Sequence, residues 1–204
     1  DTVEITLTSP MPVGVSNILT ITGITDLSAN VMDTTVYSLI FNDMLGDLLI
    51  TEISYNDPGQ YDNVEFIEIY NNSLTALPLG GLSFLSGVYY DFPEFTLQSG
   101  DYYIIAKPAY TGWSGGCDTL PYGCGFQHVF GLAPDGEFQF GSSLSNSGET
   151  ISIENSIGGI VDEVTYSDAW VGGVTDGSGP SLSLCNLLAD NNFESSWLAA
   201  TTPV

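Results

Sequence analysis

The stretch VEFIEIYNNS, residues 64–73, alternates the character of its side chains with a period of two. On an extended chain Phe66, Glu68 and Tyr70 share one face, and Glu65, Ile67 and Ile69 share the other. Asn71-Asn72-Ser73 closes the run with turn formers. Upstream, LLITEISYN (48–56) is a second strand pattern, with Glu52 set into an otherwise apolar run. Between the two lies an acidic turn, NDPGQYDN (56–63). Further out the same rhythm continues. Val3–Leu7, Ile18–Ile24, Thr35–Phe41, Leu48–Tyr55, Val64–Tyr70, Tyr102–Ala106, Glu137–Phe140, Thr150–Glu154, Ile160–Tyr166 and Ser181–Cys185 are strand candidates. Gly, Pro, Asn, Asp and Ser cut them apart, and helical periodicity is nearly absent. That many short strands predict an all-β sandwich or barrel. A boundary falls near Asn42–Asp47. Before it lie about three strands, too few for a sandwich of their own; after it lies one domain of ordinary length. No internal repeat is visible.

The charge balance narrows function. The 204 residues hold 25 Asp and Glu against one Lys or Arg (Lys107) and one His, a formal charge of -24. Nucleic-acid binding needs cations against phosphate, and these are missing. Attraction to an anionic membrane, Arg clamps and phosphate loops are excluded on the same ground. No apolar stretch of eighteen residues is present, so membrane insertion is not expected. The chain is nonetheless 43% hydrophobic and 12% aromatic, enough for a buried core. Protein salt bridges cannot offset the carboxylates, whereas Ca²⁺ takes carboxylate and carbonyl oxygens from irregular loops. Lys107 is followed by Pro108, so a trypsin-like protease finds no good site. This suits a protein living outside the cell. The chain opens on Asp1 and reads as a piece of something longer.

Seven ordered pieces of residues 48–204 resemble the lamin tail domain of the bacterial, secreted kind. They are LLITEISYN (48–56), VEFIEIYNNS (64–73), LPLGGLSF (77–84), LQSGDYYIIA (97–106), SLSNSGETISIEN (143–155), VDEVTYSDAW (161–170), and GPSLSLCN (179–186) with DNNFESSWLAATTP (190–203). The resemblance implies an immunoglobulin-like β-sandwich over residues 47–204. Residues 1–46 resemble the C-terminal part of a bacterial Ig-like domain, through ITLTSPMPVGVSNILTITGITDLSAN (5–30), with Ala29 where that group has Gly. Such tandem arrays occur in large surface and secreted proteins, so display, adhesion or structure is implied rather than catalysis. Eukaryotic relatives contact chromatin; the charge here argues against that role.

Candidate sites follow from the carboxylates. Glu52 and Glu68 on adjoining strands, with Asp57 and Asp62 from the turn between them, are expected to converge on Ca²⁺. Asp162 and Asp176 form a second acidic set, together with Glu163, Asp168 and Asp190; ordinary turn chemistry competes there. Carboxylate pairs also raise glycoside hydrolysis, but nothing in the sequence marks the required cleft. His128, in GFQHVFG, has no nucleophile motif and reads as a structural strand residue. Cys117 and Cys124 bracket a Gly-rich loop and are the preferred disulfide; Cys185 with either is the alternative. Asp-Thr pairs mark Thr2, Thr34 and Thr119 as O-glycosylation candidates. Asn71-Asn72-Ser73 has the N-glycosylation pattern.

The expected protein is therefore a non-catalytic extracellular module of a large bacterial surface protein or fibre. It would be stabilised by Ca²⁺ and partnered by other domains or copies of the same or a related surface protein. The alternative is a carbohydrate- or protein-binding accessory module of a secreted multidomain enzyme.

Overall fold

The computed structural model describes residues 4–56, 58, 61–62, 64–109 and 123–200, with backbone alone for residues 61, 62, 123 and 124. Among the described residues the strands are β1 (Ser16–Ile21), β2 (Thr35–Ile40), β3 (Leu48–Ser54), β4 (Tyr61–Asp62), β5 (Phe66–Asn71), β6 (Leu77–Pro78), β7 (Ser83–Ser86), β8 (Tyr90–Asp91), β9 (Thr96–Leu97), β10 (Tyr102–Ala106), β11 (Gly123–Cys124), β12 (Gly136–Glu137), β13 (Glu149–Glu154), β14 (Ile160–Tyr166), β15 (Leu182–Leu184) and β16 (Trp197–Ala199). A single-turn helix, α1, spans Phe126–Phe130.

Two sheets make the sandwich. The larger has the order β12-β10-β5-β3-β15-β16, antiparallel except for the β10–β12 pair. The smaller has the order β14-β13-β7-β8 and is antiparallel throughout. Their facing sides share one core. Ile50, Ile53, Ile67, Ile69, Tyr103, Ile105, Leu182 and Trp197 come from the larger sheet; Phe84, Ile151, Ile153, Val161, Val164 and Tyr166 come from the smaller. The alternation read in residues 64–70 holds. Ile67 and Ile69 enter the core, while Phe66 turns outward to pack with Ala106 and Phe126. The fold is an all-β, immunoglobulin-like sandwich.

Two residues close the seam between the sheets at the β8 and β12 edges. Tyr90 lays its ring against Gly136, where an added Cβ would lie 2.2 Å from the hydroxyl. The same hydroxyl shares a 2.7 Å hydrogen bond with that of Tyr103. Next to it, the Gln139 amide donates to the Tyr89 carbonyl at 2.8 Å.

β1 and β2 form a separate antiparallel hairpin. It docks on the sandwich through Asn42, which is fully buried. The Asn42 side-chain amide donates to the carbonyls of Pro78 and Gly80, both at 2.9 Å, and its oxygen accepts the Met44 amide at 3.0 Å. Gly14 passes so close to Gly80 that a Cβ on the latter would meet the Gly14 carbonyl at 2.3 Å.

Three expectations are corrected. Glu4–Leu7, the described part of the Val3–Leu7 candidate, lies in no strand; alternation alone does not make a strand where no neighbour supplies a ladder. His128 sits on α1 and is exposed, not in a strand. Asn71 is fully buried, its amide donating to the carbonyls of Thr75 and Leu97 and its oxygen accepting from Ser73. It is therefore a turn-forming residue that no glycan can reach in the folded state.

Candidate functional site

The outer face of the larger sheet brings together Glu52 and Glu68, two of the four carboxylates expected to converge. β3 and β5 pair antiparallel with Glu52 directly opposite Glu68, and a bulge between Ile50 and Glu52 leaves Thr51 as the extra residue. One row then runs across four strands: Ser183, Glu52, Glu68, Ile104. Directly opposed side chains on antiparallel strands have Cβ atoms about 4.5–5.5 Å apart, and like charges there repel. Each acid has one hydroxyl partner. Thr51 Oγ1 donates to Glu68 Oε1 at 2.8 Å, and Ser181 Oγ donates to Glu52 Oε1. Beside them the rings of Tyr70 and Tyr102 stack at 4.7 Å, tilted by 44°.

Burial dominates the electrostatics. Partial burial pushes the Glu68 carboxyl up to about 7, against the pull of the Thr51 hydroxyl and with added repulsion from Glu52. Burial also raises Glu52, opposed by the Ser181 hydroxyl. The Tyr102 hydroxyl is raised too, by burial first and then by Glu68 and Tyr70. The pair therefore has two ways to lower its energy: hold a proton near neutral pH, or share a cation.

Asp162 sits elsewhere and does something else. It points inward from the edge strand β14, on the face that carries Val164 and Tyr166. Its Oδ2 accepts the Ile50 amide at 2.7 Å and the Asn191 side-chain amide at 2.8 Å. Asn191 is buried, reaches the Ile50 carbonyl at 3.4 Å, and accepts the Trp197 indole N–H at 2.7 Å. Asp162 thereby ties β14 of the smaller sheet to β3 of the larger one. Burial raises the Asp162 carboxyl to about 6, although the amides of Ile50, Asn191 and Glu163 all pull it down.

The remaining acidic candidates scatter. Asp176 accepts from the Asn56 side-chain amide, and Asp190 caps its own turn by accepting the Asn192 amide at 2.9 Å. Among the described residues no group of three or more His, Cys, Asp or Glu side chains comes together as a metal shell. Asp57, Cys117, Thr2 and Thr119 lie outside the described residues. Asp62 and Cys124 fall on neighbouring short strands, β4 and β11, paired in register. Cys185 is an exposed free thiol. Thr34 is exposed just before β2.

The ion pair of buried Glu65 with half-buried Lys107 was missed by sequence reasoning. Lys107 Nζ contacts Glu65 Oε1, and Glu65 Oε2 accepts the Leu144 amide at 2.7 Å. The signal was present: Glu65 shares the strand face of Ile67 and Ile69, so the alternation puts an acid inside. A buried carboxylate demands a counterion, and the chain has one Lys to give.

The profile of the lamin tail domain matches residues 44–168, more than half of the chain. The protein belongs to the lamin tail domain family. No curated protein matches it. Among solved structures it is similar to a DUF4876 family protein from Bacteroides thetaiotaomicron VPI-5482, with 16% identity over 96% of this chain and 82% of that one, at a TM-score of 0.47.

Proposed function

We propose that the protein is a non-catalytic, extracellular structural or adhesive module of a large bacterial surface protein or fibre, stabilised by Ca²⁺. The observation that carries the calcium reading is the Glu52–Glu68 pair: two like charges held opposite one another on a sheet face, each with one hydroxyl donor. A divalent cation between them turns repulsion into ligation. Asp57 and Asp62, on the segment joining β3 to β5, are the proposed further ligands. Residues 1–46 are proposed as the C-terminal part of an Ig-like domain that precedes the sandwich in a tandem array. With 25 acids and one Lys, itself held by Glu65, acidic surfaces of such arrays meet through Ca²⁺ rather than through salt bridges.

The test is thermal unfolding at pH 8 in saturating Ca²⁺ and in EDTA, for the wild type and Glu68→Gln. A higher melting temperature in Ca²⁺, lost in the variant, supports the reading. Identical melting in both buffers sinks the calcium part.

One observation favours the accessory-module reading. A cleft of about 390 Å³ at the β8–β12 seam is lined by Tyr89 and Tyr90 together with Asp91, Glu137 and Gln139. An aromatic face beside hydroxyl-accepting carboxylates and an amide suits a neutral sugar. Glycan-array binding abolished by Tyr89→Ala would favour this role over the structural one.

A further inference from the structure

A second cavity, of about 330 Å³, shares Glu137 with the cleft at the β8–β12 seam. Phe126 walls it, and Lys107, Gln127 and His128 bring polar groups to it. The two cavities are built alike. Each has an aromatic wall, a glutamine side chain and the Glu137 carboxylate. In the first the wall is Tyr89 and Tyr90 and the glutamine is Gln139; in the second they are Phe126 and Gln127. Both volumes fall in the range of small-molecule clefts, ~300–1,000 Å³.

The sequence sets this up locally. Residues 136–140, GEFQF, alternate: Phe138 enters the core, while Glu137 and Gln139 are exposed. Gly136 lets the Tyr90 ring lie against β12. That ring is held by the Tyr103 hydroxyl at 2.7 Å and by Phe92, edge-on at 5.0 Å. Tyr89 carries its exposed ring on a fixed main chain. Its amide donates to Ser142 Oγ at 2.9 Å, and its carbonyl accepts the Gln139 amide at 2.8 Å. In the second cavity Phe126 packs edge-on against Phe66 at 5.3 Å and against Phe130 at 4.6 Å. The walls are in place before a ligand arrives, so binding orders little.

Charge selects the ligand class. Glu137 stands where the cavities meet, and the whole chain carries a formal charge of -24, so an anionic sugar is repelled. The Lys107 charge is already matched by Glu65. An ammonium has three N–H donors, however, and those not given to Glu65 are left for a hydroxyl oxygen. Gln127 and Gln139 can both donate and accept. An uncharged ligand rich in hydroxyls uses all of these groups and leaves no new charge unpaired.

We infer that the two cavities are successive subsites of one groove, which takes a neutral oligosaccharide of two or more units laid across Glu137. The inference rests on the sugar-binding reading of the seam cleft, and adds the length and charge class of its ligand. One unit lies on the Tyr89 ring, the next reaches Gln127, His128 and Lys107, and the Glu137 carboxylate accepts hydroxyls from both.

The experiment is binding of the whole 204-residue chain, in EDTA, to an array of neutral hexose oligosaccharides of one to six units and their uronic-acid counterparts. The wild type is expected to bind three neutral units about tenfold more tightly than one, the gain of two further hydrogen bonds. Tyr89→Ala is expected to abolish binding at every length. Gln127→Ala with His128→Ala is expected to remove the length preference while melting at the wild-type temperature, because both side chains are exposed on α1. Equal affinity for one and three units overturns the inference and leaves the sugar reading standing. So does a length preference that survives the double variant, or tighter binding of the uronic-acid chains. No binding at any length overturns both.

Discussion

Replacing Glu68 by Gln removes one of two carboxylates that β3 and β5 hold face to face, and keeps an oxygen to accept the Thr51 hydroxyl. The folded carboxyl binds its proton up to about 7, against 4.5 for the free side chain. The folded state therefore holds a proton that the unfolded chain has already lost between these two values. Stability contributed by this group is greatest below 4.5 and falls as pH rises towards 7. Burying the ionised form at pH 8 costs at most ~3.4 kcal/mol, taking 1.36 kcal/mol for each tenfold change in proton affinity. Solvent still reaches part of the side chain, so screening reduces this to about 1–2 kcal/mol. Glu68→Gln is therefore expected to raise the melting temperature at pH 8 in EDTA by roughly 2–8 °C, at about 2–4 °C per kcal/mol for a domain of this size. At pH 4 the gain should vanish, because the wild-type carboxyl is then protonated in the fold. Saturating Ca²⁺ at pH 8 should stabilise the wild type and leave the variant unmoved. Differential scanning calorimetry at the two pH values decides it. A variant less stable than the wild type at pH 8 in EDTA would refute the argument, since the pair would then be a source of stability and not a strain.

Substitutions at three further positions test the interior. Asp162→Ala strands the Ile50 amide and the Asn191 side chain without an acceptor, and should cost about 3 kcal/mol, read as a melting point lower by roughly 6–12 °C; Asp162→Asn, which keeps one oxygen, should lose less than half of that. Lys107→Met leaves Glu65 buried without its cation at a cost of about 3 kcal/mol, read by urea unfolding against the wild type. Gly136→Ala puts a Cβ 2.2 Å from the Tyr90 hydroxyl and 2.7 Å from a ring carbon. That ring is wedged against Phe92 at 5.0 Å, so it cannot simply swing away, and a loss of about 2 kcal/mol is expected by urea unfolding.

The sandwich was legible because burial on one face leaves a period of two. Phe66–Asn71 carries it most plainly, and the bounds of Leu48–Ser54, Phe66–Asn71, Tyr102–Ala106 and Ile160–Tyr166 differ from the expected ones by two residues at most. Short edge strands were not legible. Tyr90–Asp91 and Leu77–Pro78 are two residues each, too short to show any period, and exist because a neighbouring strand offers a ladder. Ser83–Ser86 escaped for a related reason: Phe84 alone goes fully into the core, so the alternation never repeats. The Glu52–Glu68 pairing was visible, since the turn between them sets two strands side by side. The partners Thr51 and Ser181 were not. The first depends on a bulge that shifts the register by one residue, and the second lies 129 positions away in the chain. Asp162 was read as one of an acidic set, with turn chemistry as the competitor, because nothing local announces that the Ile50 amide and the Asn191 side chain, distant in sequence, take its oxygen.

Three partly or fully buried carboxylate sites show how a chain with one Lys handles acids in its interior, and why the proposed calcium suits only one of them. Glu65 takes the single cation and a backbone amide. Asp162 has no cation, but Oδ2 is occupied by two amides and a third, from Glu163, also favours its charged form. A metal there would have to displace hydrogen bonds that hold β3 to β14. Glu52 and Glu68 have neither solution. Each has a single hydroxyl donor, their charges face one another, and their remaining oxygen lone pairs lie on the outer side of the sheet. Protonation relieves the pair below about 7; above that, only a cation can. Calcium dependence should therefore grow with pH across the neutral range, and a stabilisation by Ca²⁺ as large at pH 5 as at pH 8 would place the ion somewhere other than this pair.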